Sequence, residues 1–269
     1  MPPQPILIEF EHVGLAFDRQ PVLEEVSLQV RRGETKVLLG ESGAGKTVML
    51  KLALGLLKPD AGTVEVLGER VSTLAEEQLY ELRRRIGMVF QESALFDSLT
   101  VRENVAYRLE EEGRLEAAAV EARVRACLAM VELEEAIDKM PAELSGGMQR
   151  RVSIARALAT EPEIMLYDSP TGGLDPVTAT NIMEQIIKLR DVNRVTALLV
   201  THRLQDGFLM ATHCWDKQRN AMVAEPRHGA STSFVVLHGH RIVFDGSADG
   251  LLGSQDAYLR EFVNRPGRA

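Results

Sequence analysis

Residues 40–47 read GESGAGKT, and they follow the short apolar run TKVLL. At every defined position they fit the pattern G-x-x-x-x-G-K-[ST], and the residues after them have apolar side chains at helical spacing. Glycines let such a loop curl until successive backbone N–H groups face one phosphate, while the start of the helix adds its dipole. The order strand, loop, helix therefore predicts an α/β fold with a phosphate-binding loop between a buried strand and a helix.

The loop residues have distinct predicted roles at a bound phosphate. Lys46 can reach the β- and γ-phosphates of a nucleotide, and the hydroxyl of Thr47 can hold Mg²⁺. Asp168 follows the apolar residues IMLY, at the end of a second predicted strand. A carboxylate there suits a ligand of Mg²⁺ or its water, although such an acid alone is more often a turn former or helix cap. The positions that we expect to contact phosphate are Gly40, Glu41, Ser42, Gly43, Ala44, Gly45, Lys46 and Thr47.

Composition narrows the class of protein. The 269 residues carry a formal net charge of −8 and are 45% hydrophobic, which is ordinary for one large globular domain. The acidic balance does not predict binding of nucleic acid, and basic pairs such as Arg150 and Arg151 are typical of solvated faces. Cys127 and Cys214 form neither a metal-ligand spacing nor a disulfide framework. No run of about 18 apolar residues occurs, so we expect any membrane association to depend on a partner.

The pattern of elements predicts one domain with a helical interruption. Residues 6–17 and 22–30 alternate apolar and polar side chains, which predicts strands. Residues 92–161 are rich in Ala, Glu, Arg and Leu, which predicts helices. Buried strands then resume with EIMLYD and VTALLVTH. We therefore divide the chain into an α/β core, 1–91 and 162–269, and a helical insert, 92–161.

Residues 216–232 break the pattern of the second half of the core. They are mostly polar, contain Gly, Pro and Ser, and have no apolar period. Loops of this length are uncommon inside compact domains and are usually either functional or disordered. The sequence therefore predicts a loop insertion here, which is either disordered or a docking element for a partner.

The segment LSGGMQRR, residues 144–151, completes a set of six motifs in a fixed order. In this order the chain resembles the ATP-binding subunit of ABC transporters over nearly its whole length. The resemblance implies a P-loop NTPase (RecA-like) core with an antiparallel β subdomain and an inserted α-helical subdomain. It also implies that ATP is bound together with Mg²⁺.

One part of the resemblance concerns the nucleotide. Gly40–Thr47 resemble the Walker A loop, and Asp168 ends a segment that is similar to Walker B. Phe17 stands where the family places an aromatic ring that stacks on adenine, and Gln91 resembles the glutamine of the Q-loop. The resemblance thus implies that Thr47, Gln91 and Asp168 hold the metal ion.

Another part of the resemblance concerns a dimer. His202 is similar to the family's switch histidine and Asp175 to the acid of its D-loop. Residues 145–149, at the start of a predicted helix, resemble the signature motif, and its expected nucleotide contacts are Ser145, Gly146, Gly147 and Gln149. In the family, each ATP lies between the Walker A loop of one chain and the signature of another. The resemblance therefore implies a homodimer, or a heterodimer with a related ATPase, that closes on ATP.

Within the family, the stretch after Gln91 and the tail DAYLREFVNR are most similar to the ATPases of the Mla/Mce lipid-transport systems. This implies that residues near 92–107 contact an integral-membrane permease, although the segment can also be read as a plain connection to the helical insert. The expected location is the cytoplasmic face of the inner membrane, with the permease as the attachment. The expected cargo is phospholipid. An importer for another substrate stays open, because the permease sets substrate choice.

Ser169 is the main departure from the family pattern, since members usually carry Glu directly after the Walker B Asp. A serine hydroxyl cannot act as a general base at neutral pH, although it can hydrogen-bond a water. Three explanations stay open. In the first, hydrolysis persists slowly, with Ser169, His202 and Gln91 as the candidate catalytic residues. In the second, another acid such as Asp175 takes the place of the Glu. In the third, ATP binds without turnover, in a regulatory or clamp subunit.

A soluble ABC protein that acts on ribosomes or DNA is a further alternative. Such proteins usually carry two cassettes in one chain or a long coiled-coil insert. This chain has one cassette, a short insert and an acidic balance. These features favour the transporter subunit, and we expect no nucleic-acid partner.

Overall fold

A computed structural model of the chain describes residues 4–225 and 232–264. The strands of these residues form three separate sheets. In chain order they are β1 (Ile6–Phe17), β2 (Gln20–Arg31), β3 (Thr35–Gly40), β4 (Ala61–Val66), β5 (Glu69–Arg70), β6 (Ile86–Val89), β7 (Ile164–Asp168), β8 (Thr196–Val200), β9 (His213–Asp216), β10 (Ala221–Ala224), β11 (Thr232–His238) and β12 (Arg241–Gly246).

Helices alternate with these strands, as the α/β prediction requires. In chain order they are α1 (Lys46–Ala53), α2 (Glu76–Arg84), α3 (Val101–Glu112), α4 (Ala117–Met130), α5 (Gly146–Leu158), α6 (Pro176–Asn193), α7 (Leu204–Thr212), α8 (Ala248–Leu252) and α9 (Ala257–Asn264). No helix within 4–225 and 232–264 combines the length and the apolar character needed to cross a bilayer.

The largest sheet positions the site. Its strand order is β12-β11-β3-β8-β7-β6, and every pair is parallel except the one that β12 makes at the edge. All residues of β3, β7 and β8 are buried, as expected for strands with helices on both faces. The phosphate-binding loop follows β3, and Asp168 ends β7. Because β8 lies between these strands, the carboxyl ends of all three meet at one edge, where α/β sheets bind ligands.

A second sheet, in the order β2-β1-β4-β5, is wholly antiparallel. Its inward side chains, such as Phe10 and Val26, share one apolar cluster with Met49 and Leu50 of α1. The sheet therefore covers the helix that follows the phosphate-binding loop. This arrangement confirms the predicted fold class of an α/β core with an antiparallel β portion.

Residues 92–161 contain α3, α4, α5 and two short 3₁₀ turns. Helix α3 ends at Gly113, which takes a left-handed conformation with φ 60° and caps it. Thr100 caps the start of α3, because its hydroxyl accepts the N–H of Glu103 and the Glu103 carboxylate accepts the N–H of Thr100. The separation of 92–161 as a subdomain remains our proposal.

The prediction of a loop over 216–232 is wrong for the first part of this range, where β9 and β10 form an antiparallel hairpin. Contacts with α6 fix this hairpin. The N–H of Trp215 donates to the Asp191 carboxylate at 2.7 Å, and the N–H of Met222 donates to Glu184 at 3.3 Å. Partners so distant in sequence leave no local period, so the pattern of apolar residues did not reveal them. Residues 226–231 of the predicted loop lie outside the described residues.

Candidate functional site

The phosphate-binding loop has a backbone shape that excludes side chains at two glycines. A Cβ on Gly45 would lie 2.9 Å from Cδ2 of Leu23 and 3.0 Å from the carbonyl oxygen of Val22. A Cβ on Gly40 would lie 2.6 Å from the carbonyl oxygen of Leu237. Gly45 also has φ 99°, which is strained for any L side chain. The glycines therefore form a close backbone cradle directly before α1.

The ammonium group of Lys46 lies inside this cradle. The side chain is buried, and Nζ donates to the carbonyl oxygens of Gly40 at 2.9 Å and Glu41 at 2.7 Å. These two partners are neutral carbonyl groups, so the two bonds do not neutralise the positive charge of Lys46. With the dipole of α1 beginning at the same residue, the loop fits a phosphate group.

A hydroxyl and a carboxylate meet beside the loop. Oγ1 of Thr47 donates to Oδ1 of Asp168 at 3.1 Å, although the two residues come from α1 and β7. Burial raises the pKa of Asp168, and the opposing effects are the Thr47 bond and the charges of Lys46 and Lys51. Oxygen donors of this kind are the ligands that Mg²⁺ prefers. The residues present therefore fit a magnesium ion next to the phosphate cradle.

Most of the predicted site residues line one pocket, which has a volume of about 460 Å³. Its lining includes ten of them: Phe17, Ser42, Gly43, Gly45, Lys46, Thr47, Gln91, Asp168, Ser169 and His202. Phe17 lines the pocket and is 45% exposed, so a base can stack on its ring. The three other loop residues, Gly40, Glu41 and Ala44, belong to the same loop but are outside this lining. The pocket thus offers an aromatic face, a phosphate cradle and a metal-binding pair in one cavity.

The signature-like residues are not part of this pocket. Ser145 caps α5, since its Oγ accepts the N–H of Met148 at 3.3 Å. A Cβ on Gly147 would lie 2.6 Å from Cγ2 of Thr178, so the start of α5 packs closely on α6. Besides the three loop residues, the predicted site residues outside the lining are the signature-like Ser145, Gly146, Gly147 and Gln149, and the D-loop acid Asp175. Within one chain, the structure therefore does not bring the signature to the phosphate cradle.

Two of these outlying residues have structural bonds of their own. Nε2 of Gln149 donates to the carbonyl oxygen of Pro141 at 2.9 Å. Oδ1 of Asp175 accepts the N–H groups of Val177 and Thr178, which caps α6, and the Thr178 bonds hold the pKa of Asp175 below its usual range. A carboxylate occupied in this way outside the pocket does not replace the missing Glu within the same chain.

Ser169 occupies a constrained position at the pocket wall. The residue is buried and has φ 46°, an uncommon left-handed conformation for a residue with a side chain. Its N–H donates to the carbonyl oxygen of Val200 at 2.8 Å, and its own carbonyl accepts the N–H of Gly172 at 2.9 Å. Asp168 is the single carboxylate among the described residues that line the pocket. A water at this wall would therefore meet the metal-binding acid Asp168 and no second carboxylate.

A buried group beside the pocket was absent from the sequence predictions. Asp206, in the first turn of α7, accepts hydroxyl hydrogen bonds from Thr171 and Thr201. Burial raises the pKa of Asp206, while the two hydroxyl bonds and the nearby charges of Arg203 and His202 lower it. An acid in the first turn of a helix is commonplace, so the sequence contains no signal that would have revealed this group.

A second unexpected feature is that α5 is bonded to the segment after β6. The Arg150 guanidinium donates to the carbonyl oxygen of Phe90 at 2.5 Å and Arg156 donates to that of Ser93 at 3.1 Å. Arg150 is buried, which corrects the expectation of a solvated basic pair. The helix that begins at the signature-like residues is therefore fixed to the chain on either side of Gln91.

Comparisons with known proteins agree with this geometry. A family profile described as ABC transporter matches residues 23–172. The intermembrane phospholipid transport system ATP-binding protein MlaF of Escherichia coli (strain K12) is 33% identical over 258 residues, which covers 96% of this chain and 88% of MlaF. The methionine import ATP-binding protein MetN 2 of Paraburkholderia xenovorans (strain LB400) is 45% identical over 210 residues, 75% of this chain and 53% of that protein.

A solved structure extends the comparison to the whole fold. The ATP-binding cassette MJ0796, in a dimeric post-hydrolysis state bound to ADP and Pi, matches with a TM-score of 0.73 and 30% identity. The match covers 90% of this chain and 98% of that one. The similarity therefore includes the sheet, the phosphate-binding loop and the helical insert.

Proposed function

The chain belongs to the ABC transporter family of ATP-binding subunits, and we propose that it hydrolyses ATP to drive phospholipid transport through a partner permease. The observation that supports hydrolysis most directly is that Lys46, Asp168, Ser169 and His202 all line one pocket. The similarity to MlaF over nearly the whole chain supports phospholipid as the cargo. In this proposal the subunit is peripheral, on the cytoplasmic side of the membrane.

The residues of the pocket divide the work of binding. The Phe17 ring stacks on adenine, and the ammonium of Lys46 together with the loop N–H groups holds the β- and γ-phosphates. Thr47 and Asp168, with Gln91 nearby, are the residues that would hold Mg²⁺. When bound, this ion neutralises phosphate charge during phosphoryl transfer. Metal binding requires the ionised carboxylate of Asp168. Burial opposes ionisation, and the positive charges of Lys46 and Lys51 favour it.

Hydrolysis in this site depends on positioning rather than on a general base. His202 and Ser169 orient the attacking water by hydrogen bonds, and Gln91 lines the pocket beside them. Phosphoryl transfer is governed mostly by positioning and charge stabilisation, so a site without a carboxylate base retains activity. General-base catalysis contributes about 10²–10⁴-fold in other enzymes. We therefore propose a slow ATPase.

A second copy, or a related ATPase, completes the site. The N–H groups at the start of α5 form an anion-binding end that lies outside the pocket of its own chain. In the proposed dimer, Ser145, Gly146 and Gly147 of one chain face the γ-phosphate held by Lys46 of the other. The dimeric state of the similar cassette MJ0796 supports this arrangement.

An apolar groove of about 590 Å³ lies beside the segment that follows Gln91, and we propose it as the permease contact. Phe96 and Tyr107 line it, with ring centroids 4.6 Å apart, and both residues remain about two-fifths exposed. Tyr80 and Phe90 add further exposed aromatic surface. Exposed aromatic clusters of this kind are typical of protein contacts.

Replacement of both Phe96 and Tyr107 by alanine should reduce co-purification of the permease by at least about tenfold. Aromatic side chains that become buried at an interface commonly contribute about 2 kcal/mol or more to the free energy of binding. Binding of ATP by the isolated chain should not change. The matched control is Leu252→Ala, an exposed apolar side chain outside the groove. Equal recovery of permease with the double variant and the control would contradict this contact.

The test of the function is phosphate release from Mg-ATP by the chain purified with its permease in detergent. We expect slow turnover, below the ~1 s⁻¹ at the lower end of common enzymes, and a severalfold increase when phospholipid is added. Methionine should have no effect. Turnover that responds to methionine instead would favour an importer like that of MetN, and the cargo proposal would fail.

A regulatory subunit that binds ATP without hydrolysis is the second candidate, and Ser169 is the observation that favours it. The intact phosphate cradle and metal-binding pair suit both candidates. Tight binding of ATP with no phosphate release by the complex, in the same assay, would replace the ATPase proposal by this one.

A further inference from the structure

Asp206 connects two loops through a single oxygen atom. The side chain is 1% exposed, and its Oδ2 accepts the hydroxyl of Thr171 at 2.5 Å and the hydroxyl of Thr201 at 2.9 Å. Both threonines are completely buried. Loss of either hydrogen bond would leave a buried polar group without a partner, so this group of three is a firm connection.

Each threonine belongs to a loop that reaches the nucleotide pocket. Thr171 lies two residues after Ser169, in the turn closed by the bond from the Gly172 N–H to the Ser169 carbonyl. Thr201 directly precedes His202, and its hydroxyl also accepts the N–H of Arg203 at 3.0 Å. Because these bonds fix the backbone near each threonine, a shift of either hydroxyl moves Ser169 or His202 with it.

The acid itself has a rigid support. Gly207 follows Asp206 in α7, and a Cβ there would lie 2.7 Å from Cε1 of Phe234 and 3.1 Å from Cγ1 of Val37. The helix therefore lies against the side chains of β11 and β3 with no room to approach further. The N–H of Thr201 also donates to the carbonyl oxygen of Leu38 in β3 at 3.2 Å. Asp206 is thus fixed to the same sheet that carries the phosphate-binding loop.

We propose that Asp206 is a positioning residue that sets the separation of Ser169 and His202 at the pocket wall. The proposal rests on the proposed hydrolysis of ATP. With no carboxylate base, Ser169 and His202 act on the water only when both are in place. Misplacement of such groups by about 1 Å costs roughly 10²-fold in rate in other enzymes.

The test uses isosteric variants of the full chain purified with its permease. Thr171→Val and Thr201→Val each remove one hydroxyl, and each should lower kcat for phosphate release about tenfold while KM for ATP stays within about threefold. The double variant should lose less than the product of the two single losses, since one break already frees the loops. Thr180→Val is the matched control, because its hydroxyl is exposed and bonds only its own helix.

The acid is tested by a pair of substitutions. Asp206→Ala should match the threonine variants in kcat. Asp206→Asn should keep kcat within about threefold, because its amide oxygen can accept both hydroxyl bonds. A purely structural role would lower the thermal midpoint of all these variants and leave kcat of the folded protein unchanged, and that result would overturn the proposal.

A readout without turnover separates this inference from the proposed function. Amide hydrogen exchange should be faster at residues 169–174 and 201–204 in Thr171→Val and Thr201→Val, and unchanged in Asp206→Asn. If the wild-type complex releases no phosphate, the hydrolysis proposal fails, while faster exchange still supports the connection. Unchanged exchange in both threonine variants would overturn the connection whatever the turnover.

Discussion

Lys46→Ala should lower the rate of phosphate release from Mg-ATP by at least about 10²-fold, because loss of one preorganised donor to a transition-state charge costs about that much. The reason lies in the geometry of the cradle. The Lys46 ammonium is buried between the carbonyl groups of Gly40 and Glu41, and no other lysine or arginine among the described residues lines the pocket. Alanine leaves the loop without a charge opposite the γ-phosphate.

The control for this variant is Lys58→Ala, which removes the same charge from an exposed position outside the pocket. It should leave turnover unchanged within about twofold, as most exposed substitutions have small effects. Affinity for ATP should be measured alongside turnover, by equilibrium binding of a fluorescent ATP analogue. Normal phosphate release by Lys46→Ala, or an equal loss with Lys58→Ala, would contradict the assignment of the phosphate site.

Ser169→Glu should raise kcat by about 10- to 10²-fold, with KM for ATP changed only a few-fold. The new carboxylate would stand at the pocket wall next to Asp168, where it can take a proton from the attacking water. General-base catalysis is worth about 10²–10⁴-fold, and the lower part of that range is expected because this backbone is built for serine. Phosphate release by the complex measures the effect.

The matched control is Ser169→Gln, which has the size of glutamate without its basicity. A gain with Glu but not with Gln assigns the effect to proton transfer. An equal gain with both would show that only the position of the water had changed. If the wild-type complex is silent and Ser169→Glu alone restores turnover, the native subunit is the ATP-binding regulator and the slow-ATPase proposal is abandoned.

Local patterns account for the part of the site that the sequence predicts. The loop at Gly40–Thr47 and the strand that ends at Asp168 depend on residues adjacent in the chain, so their spacing is visible before folding. Phe17, Gln91 and His202 were assigned through the resemblance, and the structure brings all three into the pocket. The sequence could not indicate their distances, because those depend on the order of strands in the sheet.

Features that depend on distant partners escaped prediction. The strands β9 and β10 have four residues each, and their pairing is stabilised by acids on α6 rather than by their own period. Helix α7 was not predicted, so the meeting of Thr171, Thr201 and Asp206 was also invisible. Tertiary contacts decided the structure in both places, where local preferences are weak.

The bonds of Arg150 and Arg156 have a thermodynamic consequence. Helix α5 has 13 residues and so is about 20 Å long, and it links the anion-binding end at Ser145 to the carbonyl groups of Phe90 and Ser93. An occupant at either end that displaces this rod changes the free energy of binding at the other end. Linkage makes that change reciprocal, so nucleotide alters affinity for the permease by the same factor as the permease alters affinity for nucleotide. In the proposed complex, the permease would then be an effector of the ATP site whatever the rate of hydrolysis.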